Sequence, residues 1–192
     1  MAQGMLREER PEHHLRIHLL DPHTYSMPFG WYVCEMARKL QNGAEISHVI
    51  QEFETQMDKM EIVLGPYSLK QMKKSGRVSA AAAVVGDLLG IRPIISLNAG
   101  VSKVEAKVRG DAAVPPAMIK WVESRVDSMK DTPYMVAYTS STAKRDELVK
   151  LCKKAFGHAP LIVFQLGGVV SANTGPDGIA IVYEGKPRNL EA

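Results

Sequence analysis

The fold is decided by residues 93–109, which read PIISLNAGVSKVEAKVR. Two apolar runs flank Asn98-Ala99-Gly100, where glycine permits the positive φ that a hairpin turn requires. The second run alternates apolar with charged residues: Val104, Ala106 and Val108 fall between Lys103, Glu105, Lys107 and Arg109. Because successive strand residues point to opposite faces, one face of this strand contacts water. A sheet with one wet face is typical of antiparallel pairing.

The rest of the chain predicts helices and strands on either side of this hairpin. Helices are predicted over 28–40, 45–60, 67–74, 78–89, 115–129 and 142–156, and further strands over 15–20, 61–64, 134–139, 161–166 and 179–183. The run at 161–166, which is apolar except for Gln165, is predicted as a central strand. The pattern therefore predicts one domain of the α/β class (α+β type), with a mixed, largely antiparallel sheet flanked by helices.

Composition excludes several classes of protein. The chain has 192 residues, 45% hydrophobic and 23% charged, as in ordinary globular domains. A net charge of +3 and a pI near 8.8 give no support to nucleic-acid binding. The longest apolar run, 80–89, is interrupted by Gly86 and Asp87, and is too short to span a bilayer. Cys34 and Cys152 are predicted to be buried free thiols of a cytoplasmic protein without stable membrane insertion.

No familiar catalytic or metal-binding pattern is present. The sequence contains no Walker A, HExxH or GxSxG motif. Four histidines, at 13, 14, 18 and 23, crowd the N-terminal end without the spacing of a metal site. We therefore predict no catalytic residue, no metal and no cofactor.

Two polar segments carry side chains that can bind an anionic ligand or an acidic partner. In 70–79 (KQMKKSGRVS), Lys70, Lys73, Lys74 and Arg77 recur at helical spacing, which gathers four cations on one side. They favour an acidic partner or a phosphate, or form a merely solvated face.

The second segment, 171–178 (SANTGPDG), is predicted as a turn. The Asn173 amide, the Thr174 hydroxyl and backbone N–H groups can hold an anionic oxygen there. The alternative is that the segment is only a tight connection between strands.

In order and spacing, these pieces resemble the larger, C-terminal portion of the DegV family of bacterial fatty-acid-binding proteins. The resemblance is strongest over residues 69–109. There a leucine and a basic helix are followed by Gly76-Arg77, a small-residue helix, an apolar strand, a glycine hairpin and Lys107-Val108-Arg109. Asn173-Thr174-Gly175-Pro176 resembles the family's closing His-x-Gly-Pro-Gly turn. The resemblance covers roughly residues 20–186.

The resemblance implies a carrier without catalysis of its own. Such a protein buries the tail of one long-chain fatty acid in an apolar cavity and presents the acid to a separate fatty acid kinase for phosphorylation. By family position, the fatty-acid-binding residues are Asn173, Thr174, Gly175, Arg77 and Arg109. Lys70, Lys73 and Lys74 are the residues that dock the kinase.

The sequence departs from the family in two ways. The family's N-terminal domain has no counterpart, so we expect a disordered leader over 1–13, a single lipid-binding domain over 14–186 and a tail over 187–192. Asn173 stands where the family has histidine, and it can donate a hydrogen bond but cannot carry a charge. Asp177 replaces a glycine and adds a negative charge beside the expected head group.

Two other functions stay open from the residues alone. One is a small-molecule or phosphate-binding α/β enzyme that uses the turn from Asn173 to Pro176. The other is an interaction domain that binds through its basic helix. An apolar tunnel beside Asn173 favours the carrier, whereas a polar cleft there favours the enzyme.

Overall fold

A computed structural model of the chain describes residues 2–10, 16–76, 90–98 and 101–186. The helices are α1 (Ala2–Glu9), α2 (Met27–Gln41), α3 (Ile46–Met57), α4 (Lys70–Lys74), α5 (Val114–Arg125), α6 (Thr142–Phe156) and α7 (Gly168–Thr174). The strands are β1 (Met60–Gly65), β2 (Ile91–Asn98), β3 (Val101–Arg109), β4 (Tyr134–Tyr138), β5 (Val163–Gln165) and β6 (Ile179–Glu184). The helix predicted over 78–89 and the tail over 187–192 lie outside the described residues.

The strands form one sheet in the order β3-β2-β1-β6-β4-β5. Every neighbouring pair is antiparallel except β4 and β5, which run parallel. The predicted mixed, largely antiparallel sheet is therefore confirmed. The alternating run 101–109 forms its edge strand β3, but the prediction of one wet face is wrong there, because Val104 and Ala106 are exposed whereas Glu105 is half-buried.

Helices cover both faces of the sheet, because alternate strand residues are apolar on each side. On what we call the α5/α6 face, Val63, Val136 and Ile181 pack against residues of α5 and α6 such as Met118 and Phe156. On the α2/α3 face, the intervening residues, including Ile62, Leu64, Met135 and Val182, pack against Phe53 and Met57 of α3.

Capping residues explain where helices begin and end. In α6, the backbone N–H of Lys144 donates to the Ser141 hydroxyl at 3.3 Å, and Gly157, with φ of +79°, ends the helix. The predicted span of 142–156 is confirmed. By contrast, α5 ends at Arg125, short of the predicted residue 129. Beyond it, Thr132 donates to the carbonyl of Ser128, so that short polar side chains favour a turn over another helical turn.

Three local predictions are wrong. Residues 16–20 form no strand. The apolar run at 161–166 contains the edge strand β5 rather than a central one, and its inward residues Phe164 and Leu166 pack on the α2/α3 face. The first residues, expected to be disordered, contain α1, whose Met5, Leu6, Arg7, Glu8 and Glu9 are good helix formers.

The segment over 171–178 is also not simply a turn. Its first four residues complete α7, and the turn proper begins at Gly175. The Asn173 amide and the Thr174 hydroxyl donate to the carbonyls of Val169 and Val170, one helical turn back. These side chains, which usually favour turns, therefore bond within the helix here.

Candidate functional site

An apolar cavity of about 330 Å³, its open mouth included, lies on the α2/α3 face of the sheet. Most of its wall is hydrocarbon: Pro28, Ile62, Leu64, Leu97, Ala137, Phe164, Leu166, Val170, Ala180 and Val182. Tyr25, Ser26 and Thr174 add hydroxyl groups. The wall thus comes from the start of α2, five strands or their ends, and α7.

Two small residues make room for the cavity. Ala137 of β4 and Ala180 of β6 are directly paired in the sheet, and Ala180 also faces Leu64 of β1. Both alanines are buried. The side chains of Ala137 and Ala180 are single methyl groups, whereas the residues around them are larger. They therefore do not fill the distance between the sheet and the helices, and a space is left over the middle of the sheet.

Hydroxyl groups from two elements form the polar part of the wall. Ser26 adopts a positive φ of 67° immediately before α2, and its side chain caps no N–H group of that helix. The Thr174 hydroxyl, buried at the end of α7, donates to the carbonyl of Val170 at 3.0 Å and keeps its acceptor lone pairs. Tyr25 and Ser26 were not predicted as site residues, because neither belongs to a recognised motif. The available signal was a serine two residues before a helix-starting proline.

Three of the five predicted fatty-acid-binding residues lie together at the end of α7. Thr174 lines the cavity, Asn173 precedes it, and Gly175 follows in the left-handed region at φ of +86°. The Asn173 amide donates to Val169 O at 2.7 Å, so this side chain is already hydrogen-bonded. The space beside it is an apolar cavity, which favours a carrier over the enzyme alternative.

The two predicted arginines are not part of the cavity wall as described. Arg77 lies outside the described residues. Arg109 is exposed at the end of β3, opposite Ile91, whereas the cavity-lining Leu97 is at the other end of β2. Six residues of strand separate Ile91 from Leu97, which corresponds to roughly 20 Å.

The predicted docking helix lies next to the end of α7. Lys70, Lys73 and Lys74 are exposed on α4, while Met72 is buried beneath them. The side chain of Gln71 lies so close to Gly175 that a β-carbon at Gly175 would be 3.5 Å from Gln71 Cβ. The basic surface and the closing turn, far apart in sequence, are therefore neighbours in the fold.

The two cysteines differ in exposure. Cys152 is buried, as predicted, and burial raises the pKa of its thiol to about 12, so the reactive thiolate is disfavoured. Cys34 is exposed on α2, so the prediction of two buried thiols is wrong for this residue.

Within 2–10, 16–76, 90–98 and 101–186, no group of three or more His, Cys, Asp or Glu side chains could hold a metal ion. In that part of the chain, no helix has the length and apolar character needed to cross a membrane.

Comparison with known proteins identifies relatives along the whole described domain. The family model described as "Uncharacterised protein, DegV family" matches residues 1–186, so the match begins before residue 14, the predicted start of the domain. DegV domain-containing proteins of Clostridium acetobutylicum and Clostridium perfringens are each 28% identical over 95% of this chain. The chain spans 63% and 64% of the length of these two relatives.

Solved structures of similar fold include proteins with bound fatty acids. A DegV family protein of Eubacterium eligens, loaded with heptadecanoic acid, has a TM-score of 0.80 and 20% identity, with 96% of this chain and 66% of that chain covered. A fatty acid binding DegV family protein of Streptococcus agalactiae has a TM-score of 0.77 and 25% identity over 95% of this chain and 64% of its own. The Fatty Acid Kinase B3 protein of Streptococcus pneumoniae, loaded with linoleic acid, has a TM-score of 0.80 and 18% identity over 96% of this chain and 65% of its own.

Proposed function

Since the chain belongs to the DegV family, we propose that its apolar cavity holds the tail of one long-chain fatty acid, which the protein presents to a fatty acid kinase. The observation that carries this proposal is the cavity itself: a hydrocarbon wall over the paired Ala137 and Ala180 that reaches Thr174 at the end of α7. In this role the protein makes and breaks no bond with its own side chains.

The hydrocarbon wall accounts for affinity. Each methylene group moved out of water contributes about 0.8 kcal/mol, so a tail of about 14 methylenes gains roughly 11 kcal/mol before the costs of association. The volume of about 330 Å³ includes the space out to the open mouth; the cavity itself, at about 20 Å³, is narrow, so an acyl tail can enter only if its walls move apart.

The hydroxyl groups suit the carboxylate end. The Ser26 hydroxyl can donate to a carboxylate oxygen, and the Thr174 hydroxyl can do so if it releases the Val170 carbonyl. Asn173 and Gly175 lie beside Thr174. For Asn173 this role requires its amide to exchange the Val169 carbonyl for the ligand. Arg77 and Arg109 stay proposed, by family position, as cations near the opening or on the kinase-facing surface.

Native mass spectrometry tests the fatty-acid proposal directly. We expect the purified chain to carry one long-chain fatty acid, because a tail held against an apolar wall dissociates slowly. Spectra without ligand from every preparation, including protein incubated with palmitate and with oleate, would contradict the proposal.

Charge reversal on α4 tests the docking surface. In the triple variant Lys70→Glu, Lys73→Glu, Lys74→Glu we expect the kinase to bind at least about tenfold more weakly, because an attractive surface becomes repulsive. Fatty-acid retention is expected to stay unchanged, since none of the three lysines lines the cavity. The readouts are kinase affinity and the rate of acyl-phosphate formation.

The chain offers a matched control for this variant. Lys150, Lys153 and Lys154 have the same spacing and are exposed on α6. If their reversal to glutamate weakens kinase binding as much as the α4 variant does, the effect reflects net charge and the α4 surface is not the docking site.

A further inference from the structure

The ammonium group of Lys144 joins segments that are far apart in sequence. Its Nζ is 3.6 Å from Asp111 Oδ2 and 3.7 Å from Asp177 Oδ2. The same atom lies 3.4 Å from the ring centroid of Tyr67, within the range of a cation–π contact. The Lys144 side chain is 23% exposed, so most of it is enclosed by these partners.

Two of the three partners belong to segments next to the proposed site. Asp177 is in the turn between α7 and β6, two residues after Gly175. Tyr67 is in the segment that leads from β1 into α4. Asp111 follows β3 and is also bound by Arg92, whose Nε donates to Asp111 Oδ1 at 2.9 Å. Lys144 thus connects the closing turn to the segment that carries the docking helix.

The closing turn has an unusual backbone that needs support. Asp177 adopts φ of +64°, a region that non-glycine residues rarely occupy. Its N–H donates to the Ser140 hydroxyl at 3.2 Å, and the N–H of Gly178 donates to the Thr139 hydroxyl at 2.8 Å. These bonds hold the turn to the end of β4, and Lys144 adds the only ion pair described for Asp177 among the residues of the structure.

The position of Lys144 is itself unfavourable without these partners. It lies in the first turn of α6, where the helix dipole disfavours a cation. Two carboxylates and an aromatic face compensate for this. Tyr67 stays neutral, because burial first, and then the charges of Glu147, Asp111 and Asp177, raise its pKa to about 12.

We propose that Lys144 is a positioning residue for the fatty-acid site: by binding Asp177 and Tyr67 together, it holds the Gly175–Gly178 turn closed against α4 at the end of the cavity that contains Thr174. This inference rests on the proposed function. Without the ammonium group, the turn keeps its bonds to Thr139 and Ser140 but loses its link to Tyr67, and a bound fatty acid escapes faster.

The substitution Lys144→Met tests this, because it keeps the apolar stem and removes the charge. We expect the dissociation rate of a fluorescent fatty acid to rise about fivefold to tenfold, as the loss of one ion-pair network and one cation–π contact implies. Lys144→Arg should restore a rate within about twofold of the original, since arginine makes the same kinds of contact. Lys150→Met, an exposed lysine of the same helix, is the control and should change nothing.

The salt dependence of the dissociation rate distinguishes the proposed role of Lys144 from a general loss of stability. Asp111 and Asp177 are 51% and 45% exposed, so added salt screens their attraction to Lys144. The dissociation rate of the unmodified chain should therefore rise with salt, and that of the Lys144→Met variant should not.

Two controls keep the outcomes separate. If Lys144→Met fails to fold, Asp177→Asn removes only one of the two ion pairs and should still accelerate dissociation. Unchanged rates and unchanged salt dependence in the folded variants would overturn the inference about Lys144 alone. An unmodified chain that retains no fatty acid would overturn the proposed function, and this inference with it.

Discussion

Ala180→Phe is expected to abolish fatty-acid retention while the chain still folds. Ala180 is 3% exposed in the middle of β6, it lines the cavity, and its neighbours Ala137 and Leu64 line it as well. A benzyl group at this position occupies the space that we assign to the acyl tail. Affinity for a long-chain fatty acid should fall by at least about 100-fold, since excluding only four methylenes removes about 3 kcal/mol.

The next residue of the same strand provides the control. Ile181 points to the α5/α6 face, where it is fully buried and no cavity wall includes it. Ile181→Phe should destabilise the fold by about 1–3 kcal/mol through overpacking, yet leave fatty-acid affinity unchanged. Fluorescent fatty-acid displacement and thermal unfolding of both variants would separate the two effects. Normal affinity in Ala180→Phe would show that the tail lies elsewhere.

The cavity could not be predicted from local sequence, although much of the sheet could. Alternation over 101–109 depends on residues two apart, so the sequence predicts the strand β3 itself; it does not report which face is wet, because Val104 and Ala106 are exposed and Glu105 is half-buried. The space over the sheet depends on Ala137 lying beside Ala180, which belong to strands separated by α6, β5 and α7. No periodicity in either strand indicates that the two alanines are paired.

The strand β5 shows a second limit of local patterns. A run that is apolar at five of six positions indicates burial on both sides, and for this reason 161–166 is predicted in the centre of the sheet. In the structure Phe164 and Leu166 line the cavity, while Leu161 and Val163 are 48% and 39% exposed at the sheet edge. The inward residues line the proposed site. An apolar composition alone does not show whether a strand lines a cavity or lies in the centre of the sheet.

The site residues were predictable only where the family resemblance supplied them. Thr174 and Gly175 were chosen by their place in the closing turn, and the structure brings them to the cavity and to α4. Ser26 has no such motif, and the Lys144 contacts join residues from four segments of the chain. Such contacts depend on tertiary packing, which helix and strand patterns do not report.

Glu61→Ala is expected to cause a large loss of stability. Glu61 is a buried charged residue of β1 on the α5/α6 face, only 4% exposed. Its carboxylate accepts two hydrogen bonds from Arg125, at 2.5 and 3.2 Å, and one from the Tyr183 hydroxyl at 2.6 Å. Truncation leaves the fully buried Tyr183 hydroxyl and a half-buried guanidinium without their acceptor. We expect the free energy of unfolding to fall by about 3 kcal/mol. This is the lower end of the range for a broken buried ion pair, because Arg125 is 34% exposed and its guanidinium regains some hydration.

Urea unfolding of a small set of variants tests this explanation. The surface pair Lys39–Glu52 is the matched case: Glu52→Ala should cost less than about 1 kcal/mol, because both partners are well exposed. Adding Arg125→Ala to Glu61→Ala should recover part of the loss, since the double variant no longer has an uncompensated charge. Fatty-acid affinity should stay normal in folded Glu61→Ala protein, because Glu61 is on the face opposite the cavity. A loss below 1 kcal/mol for Glu61→Ala would show that Arg125 and Tyr183 find other partners, and that this network does not stabilise the fold.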